Sequence, residues 1–313
     1  MKRREEELAR RLDNGLTSFE HRAGSLPGIR SSVSRQVFIE QIVESDRRAR
    51  FVQRIVEAEL SDSRTDPRSD CFDPLRASII FHRNNKDEDA LWMLFLFVHF
   101  GKHRVAGWRY VSRIYGKLGA ADNWDWRGVS ENVAGFRKWL DENLDGIRAG
   151  EGPQGFGNHR KYESLSGTST NGTGAVVESY VDWVGPTKLQ ASRFISAVSE
   201  PLHTAQNSFE SLYRSMEFVH RFGRTARFDY LAMVGKIGLA DIRPGRAYLV
   251  GSTGPLRGAR LLIDGIADSE TSPLVLDEQI VGLQEDMDVG FDVLEDALCN
   301  WQKSPTEFKP FRG

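Results

Sequence analysis

Apolar residues recur at helical spacing through most of this 313-residue chain, and no other feature limits the fold as strongly. Residues 34–60 show the spacing most clearly, at Val37, Phe38, Ile42, Val43, Phe51, Val52, Ile55 and Val56. It returns in residues 124–144 and 205–218. Alternating apolar and polar residues, the pattern of a half-buried strand, are absent, and so are internal repeats. The sequence therefore predicts an all-α protein.

Two segments and the cysteine content indicate the compartment. The most apolar run, residues 91–100, is too short to span a bilayer and predicts a buried helix, so we expect no membrane association. Residues 1–13 are charged throughout, which predicts a frayed helix without the apolar core of a signal peptide. Cys71 and Cys299 are too few for a four-cysteine cluster or a disulfide framework. These features predict a cytoplasmic protein.

Composition divides the chain into an N-terminal extension (1–33), a single helical domain (34–304) and a C-terminal tail (305–313). Within the domain, eight of the 29 residues from 146 to 174 are glycine. A loop of this length inside a compact protein is usually functional or disordered. We expect a short helix over residues 259–263 and one closing helix over residues 281–301.

Charge is segregated late in the chain, although the net charge is only −2. Residues 209–263 hold nine Lys or Arg against four Asp or Glu, whereas residues 264–300 hold eleven acids and no Lys or Arg. A basic region beside an acidic one is typical of an edge that binds a polyanion. Equally, the acids could simply solvate the last helix, and the sequence leaves both interpretations open.

A glycine- and proline-containing turn over residues 251–258 leads into the short helix. The first amides of a helix have no partner within it, and they bind anions such as a DNA phosphate. The candidate phosphate ligands are Gly251, Ser252, Thr253, Gly254, Arg257, Gly258 and Arg260. The local pattern also fits an ordinary corner between two helices.

The turn resembles the hairpin of helix-hairpin-helix DNA glycosylases, with V-G-S-T-G in place of the usual L-P-G-[VI]-G. A wider resemblance, to the third clade of the α-glutamyl/putrescinyl thymine pyrophosphorylase family, covers residues 66–77, 87–119, 157–165, 250–262 and 283–304. That family is related to the glycosylases, among which are similar bacterial anti-phage enzymes. The resemblance implies a helix-hairpin-helix glycosylase-like fold, with two helical subdomains flanking a cleft for DNA and a base.

The resemblance also implies a catalytic residue. In the glycosylases an aspartate follows the hairpin after a short apolar stretch, and here Asp277 follows Leu274, Val275 and Leu276. A carboxylate can stabilise the oxocarbenium-like sugar and activate water. Alternatively, or in addition, Asp277 could cap the N-terminus of the last helix.

The position of the Schiff-base lysine in the bifunctional glycosylases falls at Leu256 in this chain. Arg257 follows it, and neither side chain is a usable amine. The resemblance therefore implies a monofunctional enzyme that leaves an abasic site.

A polar island inside the glycine-rich loop offers donors, acceptors and a ring for a flipped modified base. We predict a base pocket formed by Asn158, His159, Arg160, Lys161 and Tyr162, with Lys102 and His103. A solvated loop without a role is the other interpretation. His99 and His103 are four residues apart but lack the glutamate of a zinc motif, so we expect no metal and no cofactor.

These features lead to a functional prediction. The expected partner is double-stranded phage DNA with modified pyrimidines, such as glucosylated hydroxymethylcytosine or hypermodified thymine. The enzyme would flip and excise the modified base. Two alternatives stay open: a pyrophosphorylase-type transferase that modifies thymine in DNA, and a reader that binds modified DNA without catalysis.

Overall fold

The computed structural model describes residues 3–199 and 204–310, and within these ranges the protein is all-α, as predicted. No strand or sheet is present there, only two isolated bridges, between His103 and Gly107 and between Ser164 and Gly172. The α-helices are α1 (Arg3–Ala23), α2 (Ser32–Glu57), α3 (Pro74–Arg83), α4 (Asp87–Phe100), α5 (Arg109–Tyr115), α6 (Trp126–Glu131), α7 (Val133–Glu142), α8 (Leu144–Arg148), α9 (Thr173–Val184), α10 (Gln190–Val198), α11 (Ala205–Ser215), α12 (Arg224–Lys236), α13 (Gly254–Asp264), α14 (Pro273–Met287) and α15 (Phe291–Trp301).

The chain forms two compact units. Among the described residues, the terminal unit combines 3–54 with 244–310, and the central unit comprises 55–199 and 204–243. The predicted division into an extension, one domain and a tail stays a prediction, and residues 311–313 of the tail lie outside the described residues. Among the helices described, none is both long enough and apolar enough to cross a membrane.

The N-terminal helix α1 is part of the core of the terminal unit. The prediction of a frayed helix over residues 1–13 was wrong, since α1 continues to Ala23 and packs against α14. Leu8, Leu12, Leu16 and Phe19 are buried in the core. Their spacing of three or four residues forms one apolar stripe among many charges, and burial of this stripe stabilises the helix.

The acidic segment of the terminal unit pairs with arginines from the first two helices. On α1, Arg11 contacts Asp288 at 2.9 Å and Arg22 contacts Asp286 at 2.6 Å. Asp296 on α15 pairs with Arg48 of α2. Such exposed pairs contribute about 0–1 kcal/mol each. The sequence interpretations had not foreseen these partners, which come from residues more than two hundred positions away.

Glycines allow the helices of the terminal unit to pack backbone against backbone. A Cβ atom at Gly258 of α13 would lie 2.3 Å from the carbonyl oxygen of Leu298 in α15. One at Gly15 of α1 would lie 2.5 Å from the carbonyl oxygen of Asp286 in α14. Real Cβ atoms do not approach carbonyl oxygens so closely, so these two positions require glycine.

The central unit is built around α4, whose apolar run is buried as predicted. Phe95 of α4 stacks on Tyr180 of α9, with ring centroids 3.9 Å apart. The buried hydroxyl of Tyr180 donates to Gln190 Oε1 at 2.5 Å and lies 2.7 Å from the hydroxyl of Tyr230. Because these two hydroxyls and the Gln190 side chain are hydrogen-bonded, burying them costs little.

Two predicted helices are divided in the structure. Residues 124–144 form two helices, α6 and α7, because Asn132 leaves the helical conformation and accepts a hydrogen bond from the Gly135 N–H at 3.0 Å. The closing helix predicted over residues 281–301 is two helices, separated where Asp288 takes a left-handed conformation (φ 50°). The first of these two helices begins at Pro273, earlier than predicted, so Asp277 lies inside α14.

Candidate functional site

A tight turn precedes α13 in the terminal unit. Tyr248 and Gly251 both take left-handed conformations, with φ of 52° and 74°. Ser252 closes the turn, donating from its N–H (3.0 Å) and its hydroxyl (2.9 Å) to the carbonyl of Leu249. An aromatic residue rarely adopts a positive φ, whereas glycine does so without strain. The backbone here is therefore fixed by its surroundings rather than by local preference.

Helix α13 begins at Gly254, five residues earlier than predicted. Its first intrahelical bond runs from the Arg257 N–H to the Thr253 carbonyl at 3.1 Å. The earlier N–H groups of Gly254 and Leu256 therefore have no carbonyl within the helix, and Pro255 has no N–H. Thr253 is exposed at this end and makes no side-chain cap. The geometry suits an anion at the exposed start of the helix.

The other predicted phosphate ligands lie elsewhere. Arg257 pairs with Asp268 at 2.5 Å, and Arg260 donates to the carbonyl of Thr271 at 3.2 Å. Both arginines thus fasten the loop that follows α13. Gly258 is buried against α15. The residues at the turn itself are Gly251, Ser252, Thr253 and Gly254.

Asp277 is the fifth residue of α14, and only 2% of its surface is exposed. Its Oδ2 accepts a hydrogen bond from the backbone N–H of Leu249 at 2.9 Å. The bond ties α14 to the turn that precedes α13. The alternative in which Asp277 caps a helix was wrong, because Ser272 is the N-cap of α14 and Gly290 is that of α15.

Apolar side chains near Asp277 are exposed to solvent. Leu274, one helical turn before Asp277, is 58% exposed, and Val275 is nearly as exposed. Val250, next to Leu249 in the chain, is also exposed, whereas Leu276 is fully buried. Of the apolar triplet that precedes Asp277, only Leu276 therefore belongs to the core.

The central unit brings together the residues predicted for the base pocket. Gly157 donates its N–H to the carbonyl of Phe100 at 2.7 Å. A Cβ atom on Gly157 would lie 2.9 Å from the backbone nitrogen of Lys102, so the two segments are in direct contact. At the surface the exposed members of the set are Asn158, His159, Lys161, Tyr162 and Lys102.

Arg160 and His103 serve the structure of this region. Arg160 donates from Nε to the carbonyl of His99 at 3.1 Å and from both terminal nitrogens to the carbonyl of Arg221 at 3.2 Å. His103 Nδ1 accepts from the backbone N–H of Ala106 at 2.9 Å and shapes a short turn. The sequence did not single out Arg221, which appeared in it only as one cation of the basic segment.

His99 is fully buried beneath the same region. Its Nε2 lies 3.0 Å from the hydroxyl of Thr173. Burial, assisted by the nearby charge of Arg160, holds the pKa of His99 well below its ordinary value of 6.5. His99 is therefore neutral in the folded protein at pH 7.

We expect this histidine to make stability depend on pH. Below about pH 6.5 the unfolded chain binds a proton at His99 that the folded protein does not, so the free energy of unfolding falls with pH. The loss approaches about 1.4 kcal/mol per pH unit. Thermal denaturation between pH 5 and 8 measures it. His99→Gln should flatten the profile, and His159→Gln, at an exposed site, should not. Equal slopes in all three proteins would contradict this assignment.

A cavity of about 800 Å³ lies in the central unit, away from the residues predicted from the sequence. Burial, together with the charge of Asp125, raises the pKa of the Asp89 carboxyl in its wall. Its other ions largely pair among themselves, such as Arg127 with Glu131 at 3.0 Å. Within the described residues, no group of three His, Cys, Asp or Glu side chains could hold a metal ion.

A family model agrees with the resemblance seen in the sequence. The model for alpha-glutamyl/putrescinyl thymine pyrophosphorylase clade 3 matches residues 33–313. The chain belongs to this family. Its name describes enzymes of thymine modification, which places the protein in the context of DNA modification. Comparisons with curated proteins and with solved structures gave no match. The family match leaves out α1, although α1 packs on the helix that carries Asp277.

Proposed function

We propose that this protein is a monofunctional DNA N-glycosylase. It excises a bulky modified pyrimidine, such as glucosylated hydroxymethylcytosine or hypermodified thymine, from double-stranded phage DNA. The observation that supports the proposal is the fixed carboxylate of Asp277, hydrogen-bonded to the backbone just before the turn at α13. The setting is defence against phages in the bacterial cytoplasm.

In the proposed reaction, the turn before α13 and the carboxylate of Asp277 have separate roles. The N–H groups at the start of α13 bind a phosphate, with Gly251, Ser252, Thr253 and Gly254 at the contact. The bond between C1′ and the base nitrogen then breaks, and its electron pair leaves with the base. Positive charge develops on the sugar, and Asp277 stabilises it. Water supplies a hydroxyl to C1′ and a proton to the base.

Burial of Asp277 favours an electrostatic role. In a medium of low dielectric a negative charge acts over several ångströms more strongly than it does in water. The exposed side chains of Leu274, Val275 and Val250 near it would be covered by bound DNA. Covering them would exclude further water and strengthen the interaction between the carboxylate and the sugar.

The absence of lysine near the turn supports a monofunctional reaction. Residues 237–302 contain no lysine, and Leu256 packs against the core of the terminal unit. We expect no covalent complex with DNA when borohydride is added during the reaction, because residues 237–302 offer no lysine that could form a Schiff base. The abasic product should break only after heating in alkali. A borohydride-trapped complex formed by the wild-type protein would contradict this prediction, and a bifunctional glycosylase serves as the positive control.

Product analysis tests the proposal as a whole. Phage DNAs with different pyrimidine modifications are incubated with the protein, the released bases are identified by mass spectrometry, and abasic sites are counted with an aldehyde-reactive probe. The proposal requires free modified base and abasic sites in equal amounts from at least one DNA. Release from none of them would overturn it.

The family match favours a second candidate, a transferase that modifies thymine in DNA. This reaction attaches a group to an activated thymine and releases pyrophosphate, so the DNA gains an adduct and no abasic site forms. Pyrophosphate release and an adduct at thymine, without free base, would replace the glycosylase by the transferase. A reader without catalysis would give neither product.

A further inference from the structure

Two aromatic rings of the central unit project into solvent. Tyr162 is 81% exposed and Phe218 is 80% exposed. From the sequence, Tyr162 was predicted only as part of a base pocket, and Phe218 only as the end of the helical pattern in residues 205–218. Single exposed apolar residues are common on protein surfaces, so exposure alone indicates nothing. Whether these two rings have a binding role depends on the residues around them.

Both rings stand on rigid backbone. Phe218 ends a 3-10 helix (Met216–Phe218), with the fully buried Met216 on one side and the buried Val219 on the other. His220, two residues further, donates its N–H to the hydroxyl of Ser179 at 2.9 Å. The exposure of Phe218 is therefore imposed by a well-packed segment.

A partly buried ionic cluster joins the segment of Tyr162 to that of Phe218. Arg221, three residues after Phe218, donates from Nε to Glu163 Oε2 at 3.1 Å and from Nη2 to the carbonyl of Tyr162 at 3.4 Å. Arg160 donates back to the carbonyl of Arg221, and Glu163 is almost fully buried. Arg221 itself has a left-handed backbone (φ 56°), which the cluster must hold in place. The backbone segments that carry the two rings are thus joined to each other through Arg221.

The segments around these rings are basic. They carry the cations Lys102, Arg104, Arg160, Lys161 and Arg221, against the acids Glu163 and Glu217, and the negative charge of Asp229 also acts on Arg160. Lys161 places its ammonium 5.0 Å from the centre of the Tyr162 ring. Glu163 is already neutralised by Arg160 and Arg221. The exposed charge beside the rings is therefore mainly positive.

We propose that Tyr162 and Phe218 form a stacking surface for unpaired bases of a DNA strand. Rigid exposed rings among cations are what proteins use to bind single strands: bases stack on the rings and phosphates contact the cations. Under the proposed function, the DNA segment that binds this surface is the unpaired stretch around a flipped nucleotide. The choice of DNA rests on that function, but the stacking is a binding property that can be measured without catalysis.

Fluorescence anisotropy with a labelled twelve-nucleotide thymidine strand tests this surface in the full-length protein. A duplex of the same length is measured in parallel. We expect the wild type to prefer the single strand. Tyr162→Ala and Phe218→Ala should each weaken single-strand binding about tenfold and leave duplex binding nearly unchanged. Phe218→Tyr, which keeps a ring, should bind as the wild type does.

Three controls separate the possible causes. Ile195→Ala removes another exposed apolar side chain of the central unit and should have no effect. Lys161→Gln should weaken binding and reduce its dependence on salt, whereas the ring variants should keep the wild-type salt dependence. Circular dichroism should show unchanged folding for all variants, because the rings are exposed.

If both ring variants bind the single strand with the affinity of the wild type, the proposal of a stacking surface is wrong. A wild type that binds the single strand no better than the duplex would also overturn it, and would leave a protein surface as the partner of the rings. Asp277→Asn should keep full single-strand binding. If no base is released but single-strand binding still depends on the two rings, the proposed function is therefore wrong and this inference is retained.

Discussion

Asp277→Asn should lower base release from modified DNA by about a thousandfold while leaving DNA binding and thermal stability close to those of the wild type. Asparagine is nearly isosteric with aspartate, and its amide oxygen can still accept the hydrogen bond from the Leu249 N–H. The negative charge that would stabilise the sugar cation is lost. Single-turnover kinetics on a DNA that the wild type excises measures the effect on the chemical step.

The neighbouring Glu278 provides the matched control. It lies on the same helix one residue further and is exposed, so Glu278→Gln removes the same charge without reaching the buried position. We expect it to keep at least half of the wild-type rate. Equal rates in Asp277→Asn and the wild type would exclude Asp277 from catalysis. If a protective effect against phage survived Asp277→Asn in full, a reader would explain it better than an enzyme.

Gly258→Val should lower the free energy of unfolding by about 3 kcal/mol and weaken DNA binding at the same time. Its Cβ would meet the carbonyl oxygen of Leu298, a backbone atom that cannot rotate away as a side chain could. Helix α13 must then move away from α15, and the turn at its start moves with it. The melting temperature should fall by roughly 10 °C, measured by circular dichroism.

Gly223→Ala is the control for a glycine without such contacts. Its φ is −66°, which any residue adopts, and no atom lies within 4 Å of a Cβ built there. We expect its melting temperature to stay within about 2 °C of the wild type. Wild-type stability in Gly258→Val would show that α13 and α15 can separate without cost, contrary to the packing described here.

The apolar run of residues 91–100 predicted the buried helix α4, and helical periodicity was sufficient to predict the all-α class. It failed where a few side chains decide the boundary. Asn132 divides one predicted helix by capping the next, and Asp288 ends α14 in a left-handed conformation. It also failed for α1, where charge concealed an apolar stripe that becomes meaningful only against α14. Propensity is local, whereas these outcomes depend on partners far along the chain.

The candidate site divides in the same way. From the sequence came the turn over residues 251–258 and the acid that follows it, because these are properties of residue type and spacing, and five motifs carried the resemblance to the family. Neither the burial of Asp277 nor its bond to the Leu249 N–H could be read there, since each depends on how α14 packs. The pairing of Arg257 with Asp268 likewise removed a predicted phosphate ligand from the turn.

By itself the sequence determined which chemistry the protein can offer: a carboxylate after a turn, no lysine nearby, and a basic segment in the second half of the chain. Only the tertiary structure decided where these groups lie and which of them are occupied by partners within the protein. It also joined the segments that carry Tyr162 and Phe218 through Arg221 and Glu163. The sequence specifies the type of each side chain, but the exposure of a side chain and its hydrogen-bond and ionic partners depend on contacts between segments that lie far apart along the chain.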